Sequence, residues 1–118
     1  MRKKIYHLST CNTCQRIISE LELGDDVELQ EIKTEAITEE QLEEMKAGAG
    51  SFEALFSRRA RKYRSLGLAD QELSEADYKK LILEEYTFLK RPVVVVGEEV
   101  FVGNSKKVVA AAKAALHA

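Results

Sequence analysis

The sequence predicts an α/β fold in which a β-α-β unit and a β-β-α unit flank a helical segment. Two observations carry this prediction. Near the start, a short apolar run at residues 4–8 is followed by apolar positions with helical spacing. Near the end, the valines at 93–96 precede a glycine-containing turn and a second short strand. Two strands joined by so short a turn indicate an antiparallel hairpin.

The β-α-β unit is predicted over residues 4–32, with strands at 4–8 and 27–32, the second near an edge of the sheet. Between them, one apolar helix face with i, i+3, i+4, i+7 spacing is formed by Cys14, Ile17, Ile18 and Leu21. Gly24 predicts the end of this helix. Both cysteines therefore lie at the turn from the first strand into the helix.

The segment at about 38–90 is predicted to be mainly helical. Thr38 with Gln41 forms a capping box that begins one helix, and Ser74 with Asp77 begins another. The stretch 57–64 between them contains the basic residues Arg58, Arg59, Arg61, Lys62 and Arg64. For most of this run, a solvated face is the simplest interpretation.

The β-β-α unit follows. The four valines indicate a strand buried on both faces, and Val100 and Val102 face one side of the next strand. Asn104 or Ser105 is expected to cap the last helix. A parallel strand pair followed by an antiparallel hairpin is the thioredoxin-like arrangement, with a mixed four-stranded sheet. We expect a single domain over residues 1–118, with the helical insertion at about 38–90.

Composition narrows the function classes. The chain has 118 residues and a formal net charge of −2, from 18 basic and 20 acidic side chains. This balance argues against direct binding of nucleic acid. No apolar run approaches the length of about 18 residues that spans a membrane, and the apolar stretch near the start is too short for a signal peptide. We therefore expect a cytoplasmic protein with reduced cysteines.

The sequence Cys11-Asn12-Thr13-Cys14 is a C-x-x-C motif at the start of a helix. Backbone N–H groups and the helix dipole favour a thiolate at Cys11, which is therefore the expected nucleophile. Cys14 lies one turn further on, on the apolar face, and is expected to resolve a mixed disulfide at Cys11. A zinc site is the weaker alternative because His7 and His117 are poorly placed as further ligands. Cys14 as an ordinary core residue stays open.

Three blocks of the sequence resemble the arsenate reductase and Spx superfamily. They are residues 4–18, residues 55–59 with 63–68, and residues 91–95, in the order typical of that family. The resemblance implies a thioredoxin-like fold with a helical insertion and a cis peptide bond before Pro92.

For the site, the resemblance implies that Cys11 is the nucleophile and that arginines grip an oxyanion. Arg91 matches the arginine before the proline, and Arg59 or Arg58 stands in the region of another. The third arginine of the glutaredoxin-coupled arsenate reductases is absent, because its position falls near Gly103 and Asn104.

The expected function is that of a cytosolic thiol oxidoreductase of the arsenate-reductase-like family. Cys11 attacks an oxyanion or a disulfide, and Cys14 or glutathione resolves the adduct. No bound cofactor or metal is expected, and the electron donor is glutathione with glutaredoxin, or thioredoxin. The alternative, favoured by the C-x-x-C motif and by Gly103-Asn104, is an Spx-like redox-sensing regulator that binds the α subunit of RNA polymerase.

Overall fold

A computed structural model describes residues 2–118 of the chain. The chain divides into two compact units. The sheet unit consists of residues 2–36 and 91–118, and the helical unit consists of residues 37–90. The helical unit covers the segment for which the sequence predicts an insertion. That the whole chain forms one domain stays a prediction.

The strands and helices have the following bounds. The strands are β1 Lys3–His7, β2 Glu28–Glu31, β3 Val93–Val96 and β4 Glu99–Val102. The helices are α1 Asn12–Leu21, α2 Glu39–Ala49, α3 Arg61–Ser65, α4 Glu75–Glu84 and α5 Lys106–Leu116. Short 3-10 turns lie at Glu53–Leu55, Leu68–Asp70 and Tyr86–Phe88.

The four strands form one mixed sheet in the order β2-β1-β3-β4. β1 pairs with β2 in parallel and with β3 antiparallel, so that Ile5 lies opposite Leu29 on one side and Val94 on the other. β3 and β4 form the predicted antiparallel hairpin. All four valines of β3 are buried, as the unbroken apolar run predicts. The observed order of elements confirms the predicted fold class.

The core of the sheet unit lies between α1, α5 and one face of the sheet. Its buried members are Ile5, Ile17, Leu21, Val94, Val96, Ala112 and Leu116. Each large side chain buried there contributes about 1.5–3 kcal/mol. Helices from opposite ends of the chain thus cover the same face, and their packing fixes the face of α1 that carries Cys14.

The end of α1 differs from the sequence prediction. The helix ends at Leu21, and the left-handed residue that terminates it is Glu22, with φ 52°, rather than Gly24. Two contacts from α5 and its end stabilise this terminus. Lys113 Nζ lies 3.3 Å from Glu22 Oε2, and His117 Nε2 lies 2.8 Å from the Leu21 carbonyl oxygen.

Local capping and aromatic packing organise the helical unit. Both predicted capping boxes are present, with Thr38 and Gln41 at α2 and with Ser74 and Asp77 at α4. The aromatic cluster consists of Phe56, Tyr63, Tyr78 and Phe88, and its closest ring centroids lie 4.9 Å apart. None of the helices within residues 2–118 is long and apolar enough to cross a membrane.

Candidate active site

Cys11 is the N-cap residue of α1. Its backbone is extended, with φ −92° and ψ 109°, and no side chain caps the helix at this position. The Cys11 N–H donates to the carbonyl of Leu8 at 3.1 Å, and the Cys11 carbonyl accepts the first helical hydrogen bond from Gln15 N–H at 3.1 Å. The thiol is half-buried. It therefore lies beside the free N–H groups of the first helical turn.

The surroundings of Cys11 stabilise its thiolate. Burial alone would raise the pKa of the Cys11 thiol. The backbone N–H and the side chain of Cys14, together with the charge and hydrogen bond of Arg91, outweigh burial and hold the pKa below its ordinary value. A thiolate is the nucleophilic form of cysteine, so this environment increases the reactive fraction at neutral pH.

Cys14 has the opposite character. Its side chain is fully buried, with 0% exposure. Burial raises the pKa of the Cys14 thiol to about 11; the Leu8 N–H opposes this rise, and the hydrogen bond with Cys11 and its charge add to it. The two sulfur atoms thus share a hydrogen bond in which Cys14 S–H donates and the Cys11 thiolate accepts. Different protonation of neighbouring thiols suits an attacking thiol and a resolving thiol.

Arg91 and Pro92 lie at the start of β3, in the same unit as the two cysteines. The Arg91 guanidinium acts on both sulfurs, and it lowers the pKa of Cys11 and opposes the rise at Cys14. The Arg91–Pro92 peptide bond is cis, which is the isomer that the resemblance implies. The Pro92 carbonyl accepts a hydrogen bond from Gly103 N–H at 3.0 Å.

The two arginines considered for a second anion contact behave differently. Arg58 Nη2 donates to Glu53 Oε2 at 2.7 Å and to the Tyr78 hydroxyl at 3.0 Å. Arg58 is therefore engaged within the helical unit. Arg59 is exposed, and its guanidinium forms no ion pair with any residue in the described range 2–118. Of the two, Arg59 is the one that remains available for a ligand.

Gly103 and Asn104 lie where the resemblance places a third arginine. Gly103 has φ 96°, a left-handed conformation that favours glycine, and Asn104 is exposed. Arg16 lies two residues after the motif, and its Nε is 3.7 Å from Glu20 Oε1 in an exposed ion pair. These positions leave Arg91 as the arginine of the sheet unit that acts on Cys11.

Two side chains that contact this turn, Gln15 and Glu31, are not predicted as site residues by the sequence. Gln15 Nε2 donates to the Leu8 carbonyl at 3.1 Å and lies 3.3 Å from His7 Nδ1. Glu31 Oε1 accepts from Ser9 N–H at 3.2 Å. Gln15 directly follows the C-x-x-C motif, and this adjacency could have indicated a role at the site. The sequence gives no such indication for Glu31, because it lies 22 residues from Ser9 in the chain.

Within the part of the chain that the structure describes, no group of three or more His, Cys, Asp or Glu side chains is arranged to hold a metal ion. The chemistry of the site rests on the two sulfurs, the N–H groups of the first helical turn and Arg91.

Comparison with known proteins matches residues 6–112 to the ArsC family model. The chain belongs to the ArsC family. None of the curated proteins is significantly similar to it in sequence. Solved structures of similar fold support the assignment and the thioredoxin-like architecture.

Three solved structures illustrate the similarity of this ArsC-family protein. The YffB protein is 25% identical with a TM-score of 0.77, over 93% of this chain and 97% of that one. An ArsC family related protein from Bacteroides fragilis is 22% identical with a TM-score of 0.80, over 95% and 99%. An arsenate reductase from Vibrio cholerae is 21% identical with a TM-score of 0.79, over 94% and 97%.

Proposed function

We propose that this ArsC-family protein is a thiol oxidoreductase in which Cys11 is the nucleophile and Cys14 the resolving thiol. One observation carries the proposal. Cys11 is the half-buried N-cap residue of α1, whereas the Cys14 side chain is fully buried, and the pKa values of the two thiols shift accordingly in opposite directions. A pair in which both thiols were equally acidic would leave the order of attack undecided.

With a disulfide substrate, the Cys11 thiolate attacks one sulfur. A bond forms between Cys11 Sγ and that sulfur, the substrate S–S bond breaks, and the other substrate sulfur leaves as a thiolate. With arsenate, Cys11 Sγ instead bonds to arsenic, and one arsenate oxygen leaves as water after it takes up protons. In both cases the negative charge on Cys11 disappears.

Loss of the negative charge on Cys11 lowers the pKa of the Cys14 thiol before the second step. The hydrogen bond to Cys11 and its charge both raise the pKa of Cys14. Once Cys11 Sγ is covalently bonded, both effects end, while the Leu8 N–H and the Arg91 charge still favour a Cys14 thiolate. The Cys14 thiol therefore becomes easier to deprotonate when its attack is needed.

The second step releases the product and oxidises the two cysteines to a disulfide. Cys14 attacks Cys11 Sγ, the Cys11–Cys14 disulfide forms, and the remaining substrate sulfur leaves as a thiol. In the arsenate case, arsenic leaves with the electron pair of the S–As bond as arsenite. Two glutathione molecules, which leave as glutathione disulfide, or the dithiol of glutaredoxin or thioredoxin, which becomes a disulfide, then reduce the Cys11–Cys14 bond. Alternatively, glutathione performs the second attack itself and leaves a mixed disulfide at Cys11.

In this proposal Arg91 holds negative charge on the substrate, and a second contact from Arg59 is what the family resemblance implies. Guanidinium groups bind oxyanions and carboxylates with two parallel hydrogen bonds. A hydrogen bond to a charged group contributes about 1.5–3 kcal/mol. Absence of a third arginine should therefore reduce kcat/KM for arsenate by about one to two powers of ten against an enzyme with three. We expect disulfides to be the better substrates.

The test is turnover by the parent and by Cys11→Ser, Cys14→Ser and Arg16→Met. Assays use arsenate with glutathione and glutaredoxin, and separately a small disulfide. We expect Cys11→Ser to be inactive and Arg16→Met to match the parent. Retained activity in Cys11→Ser would refute the proposal. Asn104→Arg tests the missing arginine better than a change at Gly103, because φ 96° at Gly103 would strain any other residue.

A second candidate is an Spx-like redox switch. The C-x-x-C motif and the absence of an arginine at Gly103-Asn104 favour it, since a sensor needs a reversible disulfide but no oxyanion grip. Binding to the α subunit of RNA polymerase, measured with purified oxidised and reduced protein, separates the two. Binding in only one redox state, with no turnover of arsenate or disulfide, would favour the switch.

A further inference from the structure

The Glu31 carboxylate, at the end of β2, joins two turns of the sheet unit. Its Oε1 accepts from Ser9 N–H at 3.2 Å. Its Oε2 accepts from both the N–H and the hydroxyl of Thr34, each at 2.8 Å. Ser9 belongs to the turn between β1 and α1, and Thr34 to the turn after β2. One half-buried side chain thus holds the turn that leads into Cys11.

That turn reaches Cys11 through Leu8, the residue before Ser9. The Leu8 carbonyl accepts hydrogen bonds from Cys11 N–H and from Gln15 Nε2, each at 3.1 Å. The Leu8 N–H also favours a lower pKa of the Cys14 thiol. The position of Leu8 therefore sets where the backbone of Cys11 enters the helix.

We propose that Glu31 is a positioning residue, which anchors Ser9 so that Leu8 holds the backbone of Cys11 at the N-cap position of α1. This inference rests on the proposed function, because it concerns the same nucleophile. Glu31 is not a catalytic residue, since its hydrogen bonds go to Ser9 and to the turn after β2. No feature of the sequence separates it from the other glutamates of the chain.

Position and charge predict opposite effects when Glu31 is replaced by glutamine. A carboxylate that acted only through its charge would oppose a nearby thiolate, so its removal would favour the Cys11 thiolate. A carboxylate that acts through position keeps Cys11 at the N-terminus of α1, where the N–H groups of the first turn favour a thiolate, so its loss would disfavour the thiolate. The ionisable groups that act on Cys11 are Cys14 and Arg91. The other ionisable groups in the turn after β2 are Lys33 and Glu35. The direction in which the pKa of the Cys11 thiol moves in Glu31→Gln therefore distinguishes the two roles.

The experiment measures the alkylation rate of Cys11 by iodoacetamide against pH, with the labelled site identified by peptide mass spectrometry. Glu31→Gln keeps the shape of the side chain, but its Nε2 cannot accept a hydrogen bond. We expect its midpoint to move to higher pH and its rate at pH 6 to fall about two- to threefold, because the smaller thiolate fraction outweighs the greater nucleophilicity of a less stabilised thiolate. The matched control is Glu35→Gln, which removes the same charge from the same turn and should leave the profile unchanged.

Thr34→Val provides a second variant that keeps the Glu31 charge but removes one of its donors. We expect a smaller shift in the same direction. An unchanged or lower midpoint in Glu31→Gln, or equal shifts in Glu31→Gln and Glu35→Gln, would overturn the proposal. If Glu31→Gln does not fold, as judged by urea unfolding, the sign found for Thr34→Val decides.

Alkylation does not depend on turnover, so the two proposals can fail separately. A parent protein with a low Cys11 midpoint and no turnover would refute the oxidoreductase proposal and leave the Glu31 comparison valid. If the parent has a low Cys11 midpoint and also shows turnover, but the midpoint does not rise in Glu31→Gln, only the positioning role of Glu31 is refuted.

Discussion

Replacement of Arg91 by methionine should slow the reaction of Cys11 with an alkylating agent below neutral pH. Arg91 is the arginine whose charge and hydrogen bond both lower the pKa of the Cys11 thiol. Methionine fills a similar volume with an uncharged side chain. The loss is thus mainly electrostatic, and the backbone N–H of Cys14 remains as a stabilising group.

The magnitude follows from the exposure of the thiol. A hydrogen bond to a charged group contributes about 1.5–3 kcal/mol. Cys11 is only half-buried, so solvent screens the interaction and the lower figure applies. A loss of about 1.5 kcal/mol reduces the thiolate fraction about tenfold at a pH below the midpoint. The less stabilised thiolate is more nucleophilic, with a Brønsted exponent of about 0.4–0.5, which recovers about threefold. The net fall is about three- to fourfold.

The assay is the iodoacetamide rate at pH 6 for the parent, Arg91→Met, Arg91→Lys and Arg16→Met. Arg91→Lys keeps the charge but not the planar fork, so its rate should lie between those of the parent and Arg91→Met. Arg16→Met removes a charge from α1 that is paired with Glu20, and its rate should equal that of the parent. Equal rates for Arg91→Met and the parent, with folding verified by urea unfolding, would show that Arg91 does not stabilise the thiolate.

Three further outcomes are expected. In Cys11→Ser, alkylation should still be slow at pH 8, because burial, the largest cause of the raised pKa of the Cys14 thiol, remains when the Cys11 charge is removed. Peptide mapping of the parent should find Cys11 labelled first; labelling of Cys14 first would reverse the roles. Hydrogen bonds from Thr34, Ser9 and Lys33 outweigh desolvation and lower the pKa of Glu31 from 4.5 to about 2, so the parent should lose this stabilisation as the pH falls from 4.5 towards 2. Urea unfolding at pH 5 and pH 2 should therefore show a smaller loss of stability in Glu31→Gln than in the parent, and an equal loss would contradict the lowered pKa. Thr38→Ala removes the hydroxyl that accepts from Gln41 N–H at 3.1 Å and should cost about 1 kcal/mol in unfolding free energy, whereas no change would mean that the cap contributes nothing.

The features that the sequence predicts correctly depend on near neighbours in the chain. The capping boxes at Thr38 and Ser74 are set by residues three positions apart. The hairpin of β3 and β4 is set by an unbroken run of valines and a short turn. In each case the interacting groups are joined by a few bonds of the same backbone, so the local pattern is sufficient.

Features formed by distant residues were not predicted. The end of α1 moves from Gly24 to Glu22, where Lys113 and His117 contact the helix end from the last part of the chain. The pairing of Arg58 with Glu53 and Tyr78 distinguishes it from Arg59, a choice that the run of basic residues leaves open. Both depend on contacts whose geometry exists only after the chain has folded.

By itself, the sequence determined the order of the elements, the thioredoxin-like class and the position of two cysteines at the start of a helix, because periodicity, caps and motif spacing are local properties. Only the tertiary structure decided how the two thiols differ. The burial of Cys14, the Arg91 charge from just before β3, and the Glu31 hydrogen bond to Ser9 all depend on residues outside the motif. Protonation of a thiol depends on desolvation and on charges within a few ångströms, and the fold, not the spacing of C-x-x-C, places those groups there.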